Sequence, residues 1–307
     1  MTGLVEVQAP CEGARAMRGG GWAVAIVWVV SASVAGAQTA ATEQSIEAQL
    51  QAAPFVMLRG MYAGDKLSFD AEGNLVGDGT PTLFSLSAIR VTGIHLSDSA
   101  LEVDGDRAGL EVQADRAGPS MQSALWGKGR DRVRAVPLGG RSKEGIEVTI
   151  ARDSAHSDAL ATAVEKVFSI GIDEGLMRTA PSCWQLWVRH QLHPQLPPLT
   201  LPQGVYGPNA ATVADRNPAG IHNPILAYAP DPVMLPAAKP IGFQGMSVIG
   251  VIVDAQGRPG SEWVEQPAGM GLDESAIVTV RQYRFRPATI RGKPVPTEIT
   301  IEVEFRR

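Results

Sequence analysis

The sequence predicts an α+β protein: an N-terminal antiparallel β-rich domain, sheet or small barrel, with one helix, then a Pro-rich linker, then a C-terminal ββαβ unit. Three observations lead there. Short runs of strand-forming residues recur between Gly, Asn and Ser turns through the first half. Half of the 22 prolines fall in residues 190–240. Near the C-terminus, one helical stretch is followed by a strand that alternates apolar and polar. With 307 residues, 44% hydrophobic and 19% charged, the chain is globular in composition and long enough for two domains. A formal net charge of -5 and the lack of a basic stripe argue against a nucleic-acid partner.

The first element is a targeting segment. Trp22–Ala37, "WAVAIVWVVSASVAGA", is apolar, follows Arg18 and ends in Ala35-Gly36-Ala37 before Gln38. Those are the three parts of a signal peptide, and the run is short for a bilayer span of about 20 residues. Residues 1–37 are therefore expected to be removed, with Met17 an alternative start and an uncleaved anchor the competing reading. Cys11 lies before the cleavage site, so Cys183 would be left without a partner for an internal disulfide. Its setting between Pro181 and two tryptophans suits a buried apolar thiol.

Residues 38–189 come next. "FVMLRGMY", "KLSFDAEGNLVGD", "LFSLSAIRVTGIHL", "ALEVDGDRAGLEV" and "GIEVTIA" read as strands separated by turns. A helix follows, with Leu160, Val164, Val167 and Phe168 on one face. Candidates for chemistry are thin. His95 and His156 have no second ligand at metal spacing, and Asp104 and Asp106 flank Gly105 as a turn would. The basic run Gly127–Arg134 lacks the strand and helix of a phosphate loop. No catalytic group, metal site or cofactor is expected. A closed barrel here could hold an apolar ligand, which keeps an envelope ligand- or lipid-binding role as the alternative.

Residues 190–233 read as a linker, because proline fixes φ and removes a donor. In residues 234–307, "MSVIGVIVD" is a buried strand, "AQGRPG" a turn and "SEWVEQ" a second strand. Asp273 is the expected N-cap. Leu272, Ala276, Val280 and Tyr283 share a helix face. Phe285 and Pro287 end the helix. In the last strand Ile299, Ile301, Val303 and Phe305 face one side, and Glu298, Thr300, Glu302 and Glu304 the other.

Residues 234–307 resemble the C-terminal domain of the TonB family. The likeness rests on Leu272-Asp273, Ala276, Tyr283, Phe285, Pro287-Ala288, Gly292 and Pro294-Val295, with Gln244-Gly245, Val253-Asp254 and Gly257 upstream. Tyr283 stands where the family usually has Trp, and Met234-Leu235 where it has Tyr-Pro. The resemblance implies a periplasmic module whose final strand lies at a sheet edge. There an outer-membrane transporter or other envelope protein would add a strand along Glu298, Ile299, Thr300, Ile301, Glu302 and Val303. Energy transduction for transport comes with that reading. Arg281, Arg284 and Arg286 form a candidate basic contact surface. A homodimer stays open. The expected location is the periplasm after cleavage near Ala37, or the inner membrane facing the periplasm if the anchor is kept.

Overall fold

The computed structural model of the protein describes residues 44–113, 130–138, 145–153, 159–196, 199–235 and 244–306. The targeting segment, His156 and residues 127–129 lie outside them.

The strand runs of the first half become β1 (Val56–Leu58), β2 (Lys66–Phe69), β3 (Ala88–Leu96), β4 (Ala100–Gln113), β5 (Arg132–Pro137), β6 (Gly145–Ala151) and β7 (Phe168–Ile170). Of the two forms expected, the open sheet is the one that occurs. Its order is β2-β6-β4-β3-β1-β7, with β5 beside the second half of β4. Pairing is antiparallel except between β2 and β6, which run parallel.

Asp104-Gly105-Asp106 is not a turn. It lies inside β4, which runs straight through from Ala100 to Gln113. Gly105 is there because the neighbouring strand comes close: a Cβ would sit 2.4 Å from Ile89 Cγ2 and 2.7 Å from the Arg90 carbonyl oxygen. The crowding coincides with a register shift in β3 between Val91 and Gly93. A strand glycine at a bulge or close backbone approach is the known exception to its turn preference.

The helices of this half are α1 (44–52), α2 (Ala159–Val167), α3 (Glu174–Thr179) and α4 (Ser182–Leu192). As expected, α2 buries Leu160, Val164 and Val167, and it adds Ala163. Asp173 caps α3 by accepting from the Leu176 N–H at 2.7 Å, and its carboxylate also holds the Arg59 guanidinium at 2.7 and 2.9 Å. The reading with a single helix missed α4. Its Trp184, Trp187, Val188 and Gln191 recur at helical spacing and are buried, but tryptophan counts as a strand former by propensity.

The second half contains α5 (Val213–Arg216), β8 (Ile221–His222), β9 (Ile225–Tyr228), β10 (Gly245–Val253), β11 (Pro259–Gln266), α6 (Leu272–Val280), β12 (Arg284–Arg286), β13 (Ala288–Ile290), β14 (Lys293–Val295) and β15 (Thr297–Phe305). The ββαβ pattern is present as β10, β11, α6 and β15, with sheet order β11-β10-β15. The turn from β10 to β11 is held by the Asp254 carboxylate, which accepts from Gln256 N–H and Arg258 N–H at 2.8 Å. Gly257 has φ 79°. The segment at Phe285–Pro287 leaves no room for a side chain there, because a Cβ would stand 1.8 Å from the Phe285 carbonyl oxygen.

Asp273 does not cap α6. Gly271, at φ 80°, is the N-cap. Asp273 is one residue into the helix and fully buried. Its carboxylate accepts from Ser247 Oγ at 2.6 Å, Ala268 N–H at 2.8 Å and Gly269 N–H at 2.7 Å, so it staples the preceding loop to β10. Burial, the adjacent Glu274 charge and those opposing hydrogen bonds leave its pKa at about 7.

The expected face of α6 is buried, but so are Asp273, Ser275, Ile277 and Thr279. Only Val278 is well exposed, at 58%, and a helix buried over most of its circumference must be covered on more than one side. One apolar cluster explains it: Met57, Phe84, Leu110, Trp184 and Trp187 from the first half pack with Ile249, Val251, Leu272 and Ala276 from the second. Residues Thr42–Arg307 form one compact unit.

The proline-rich stretch packs within that unit and is not an extended spacer. β8 pairs with β13 and β9 with β12. Leu201 and Val205 are buried against Trp263. Proline excludes long regular elements, but the intervening apolar residues remain free to be buried. Tyr283 is the buried anchor at the helix exit, while Phe285 on β12 is only half-buried.

Candidate functional site

Among the described strands β15 pairs only with β10, so beyond its first residues one of its edges is open. Its side-chain alternation follows the sequence reading. Ile299, Ile301, Val303 and Phe305 pack against the core, and Thr300, Glu302 and Glu304 are exposed. The direction of the backbone groups follows from one contact: Glu298 N–H donates outward to the Tyr206 carbonyl oxygen at 2.8 Å. In a strand, successive N–H and C=O groups alternate sides, so Thr300, Glu302 and Glu304 also point theirs away from β10. Among the described residues no other segment takes them up.

The start of the edge is closed. Tyr206 makes a parallel bridge with Thr297, donating its N–H to the Pro296 carbonyl oxygen at 3.1 Å. Glu298, expected on the polar face and within the partner-binding stretch, is instead 6% exposed. Its carboxylate accepts from Asn209 N–H at 2.9 Å and Asn209 Nδ2 at 2.5 Å. The expected six-residue stretch is therefore available from about Thr300 onward.

Beside this edge lies a cavity of about 880 Å3, lined by Asn209, Arg216, Asn223, Glu265, Glu298 and Thr300. Glu265 was not singled out from the sequence. It lies two residues after Trp263 on a short strand, so alternation puts both on one face. Its carboxylate accepts from Trp263 Nε1 at 3.1 Å and Thr300 Oγ1 at 3.2 Å. The bare face of Gly250 makes room, since a Cβ there would meet the Trp263 ring at 2.2 Å and Glu265 Oε1 at 2.4 Å. Burial, helped by the nearby Glu298 charge, pushes the Glu265 pKa up to about 7 against those hydrogen bonds.

A carboxyl whose pKa is raised on folding holds its proton longer in the folded state. The stability present below the unfolded value near 4.5 is lost as pH rises through 7. The shift corresponds to about 3 kcal/mol. Glu265→Gln is expected to leave stability at pH 4 nearly unchanged and to raise it by up to that amount at pH 8. Urea unfolding at both pH values checks this; an unchanged pH dependence would show that Glu265 is ionised at little cost.

The basic candidates are on the surface, and none of them lies in the sheet of β15. Arg281 is ion-paired to Glu262 at 3.2 Å. Arg284 and Arg286 lie on β12, which pairs with β9 and not with β15. Arg284 Nη1 donates to the carbonyl oxygens of Tyr283 at 2.6 Å and Arg281 at 3.1 Å. Elsewhere, His95 is exposed on β3, opposite Glu102. Among the described residues no cluster of three His, Cys, Asp or Glu could hold a metal. Cys183 is partly buried, and desolvation pushes its thiol up to about 11, away from nucleophilic use.

Residues 236–306 match the family model described as Gram-negative bacterial TonB protein C-terminal. This segment of the chain is a TonB C-terminal domain. No curated protein matches the chain.

Proposed function

We propose that the protein is a TonB-like envelope protein that captures an extended segment of an outer-membrane transporter, or of another envelope protein, as an added strand along Thr300–Glu304. The open edge of β15 carries this reading. Its outward backbone groups lack partners among the described residues, and backbone pairing gives such a site affinity for an extended chain. The exposed Glu302 and Glu304 discourage indiscriminate pairing at that edge while admitting a matched partner. The function is interaction, in line with a domain of non-enzymatic, protein-binding type. A part in energising transport follows if the captured segment belongs to a transporter.

The apolar-ligand alternative has less support. The first sheet is open, and its interior positions are filled by side chains such as Val103, Val148 and Ile150. The cleft of about 780 Å3 next to it mixes Ile46, Val164, Phe168 and Ile170 with Arg59, Lys166, Asp173 and Glu174, so an apolar guest there would lie against charged groups.

Among the described residues no helix is long and apolar enough to cross a membrane. A periplasmic location rests on cleavage after Ala37. Intact mass of the exported protein is expected to correspond to an N-terminus at Gln38, in the soluble fraction. A membrane-bound mass that retains Trp22–Ala37 would replace release with anchoring.

Strand capture itself is tested by calorimetric titration of the folded chain with an extended transporter peptide, alongside proline variants of β15. Unaltered binding by those variants would remove the edge from consideration.

A further inference from the structure

β8 pairs antiparallel with β13, which also pairs with β14, and β9 pairs antiparallel with β12; the two short sheets follow one another as a ribbon along the chain, with Ile221 opposite Ile290, His222 opposite Thr289, Ile225 opposite Arg286 and Leu226 opposite Phe285. A register shift then sets Tyr228 opposite Arg284. Residues directly opposite share a face, so the shift gathers Ile225, Tyr228, Arg284 and Arg286 on one side. Leu226 and Phe285 take the other.

Every residue of β9 is exposed, with Ile225 at 62%, Leu226 at 51% and Tyr228 at 56%. Charge in this region is mostly of one sign, the exposed Asp231 near Tyr283 and the Glu262 paired to Arg281 being the exceptions. Residues 217–230 and 275–297 contain no Asp or Glu, in a chain whose net charge is -5. They supply the exposed Arg284, Arg286, Arg291 and Lys293, none of which makes an ion pair among the described residues.

We propose that this ribbon docks the protein on an anionic phospholipid surface, with Ile225, Leu226 and Tyr228 entering the interface and Arg284, Arg286, Arg291 and Lys293 meeting the phosphates. Charge complementarity sets the sign of the partner. The distribution of apolar side chains sets its kind. They emerge on both faces of the ribbon, and a protein groove would cover one face, whereas a lipid interface surrounds an edge. Tyrosine suits the boundary, with an apolar ring and a polar tip. Basic clusters of this size are attracted to anionic leaflets. The outer edge of β9, on the side away from β12, limits the depth: such backbone groups stay at headgroup level, where water and phosphate satisfy them, and do not enter hydrocarbon. The ribbon adjoins the open edge of β15, since Ile221, Asn223 and Pro224 line the same cavity as Thr300, but the side chains that would meet lipid are none of Thr300–Glu304, so each proposal has its own variants.

The test is cosedimentation of the chain from Gln38 onward, which retains the compact unit Thr42–Arg307. Vesicles of phosphatidylcholine alone are compared with vesicles that also contain phosphatidylglycerol. Binding to the anionic vesicles only is expected, weakening with salt. Arg284→Glu with Arg286→Glu is expected to weaken it at least about tenfold, as is Ile225→Ser with Tyr228→Ser. Arg291→Glu with Lys293→Glu, at the hairpin between β13 and β14, gives a second charge test should the first pair disturb the ribbon. Thermal melts report folding of each. No binding to anionic vesicles, or equal binding by folded charge-reversed variants, overturns the proposal; the first result would leave an acidic protein surface as the occupant to seek.

Discussion

Thr300→Pro and Glu302→Pro are each expected to abolish capture of an extended peptide while the fold survives, and Ile301→Pro is expected to unfold the C-terminal sheet. The difference comes from one alternation. Thr300 and Glu302 direct N–H and C=O away from β10, in step with Glu298, whose N–H reaches Tyr206. Ile301 stands opposite Ile249 in the β10 ladder and directs its groups inward. Proline at an outward position removes a donor the fold does not use and places ring atoms where a partner strand would lie. At Ile301 it removes a ladder hydrogen bond and opens the core behind it. Glu302→Ala, which alters only a rim charge, is expected to change affinity slightly. Titration calorimetry with a melt on each variant separates these outcomes. Retained binding by both folded outward variants would move attention to another surface.

Severed from residues 42–233, the segment 234–307 is expected not to melt cooperatively. Much of what holds α6 comes from the first half of the chain. Glu274 accepts from Ser85 N–H at 3.0 Å, Ser85 Oγ at 2.8 Å and Trp184 Nε1 at 3.2 Å. Gly271 N–H donates to Ser85 Oγ at 2.8 Å, and Met270 N–H to the Leu110 carbonyl oxygen at 2.9 Å. Burial pushes the Glu274 carboxyl up, against those bonds. In the whole chain Glu274→Ala leaves the Ser85 and Trp184 donors unsatisfied and is expected to cost about 2–4 kcal/mol. Urea unfolding measures it. A sharp, reversible melt of the excised segment would show that its own small core suffices.

The parts of the molecule legible in its sequence are those whose cause is local. β10, β11 and β15 follow from apolar runs and strict alternation, and α6 from Leu272, Ala276 and Val280 on one face. The open edge was legible only through the TonB resemblance, since no residue of β15 records what lies beside it. Glu298 reads as one more exposed glutamate of an alternating strand. It is buried because Asn209, 89 residues earlier, folds back onto it. Asp273 has the composition of a cap, but the left-handed Gly271 takes that place and frees the carboxylate to bind a loop. Gly105 looks like a turn until Ile89 is known to be its neighbour. The prolines of residues 190–233 truthfully exclude long elements, yet they carry no information about whether Leu201 and Val205 find a surface to cover.

The docking of the loop Ala268–Gly271 onto β4 also has a mechanical meaning. Tension applied along a strand held by β15 would load the hydrogen bonds of β15 and β10 in shear, many at once. It would then pass through Asp273 and the loop, through Met270 and Gly271, into Leu110 and Ser85, and so into the seven-stranded sheet. Every step of that path is a hydrogen bond within one compact unit. A pull on the partner would therefore move the whole of Thr42–Arg307 as one piece, and its reach would be the size of that piece.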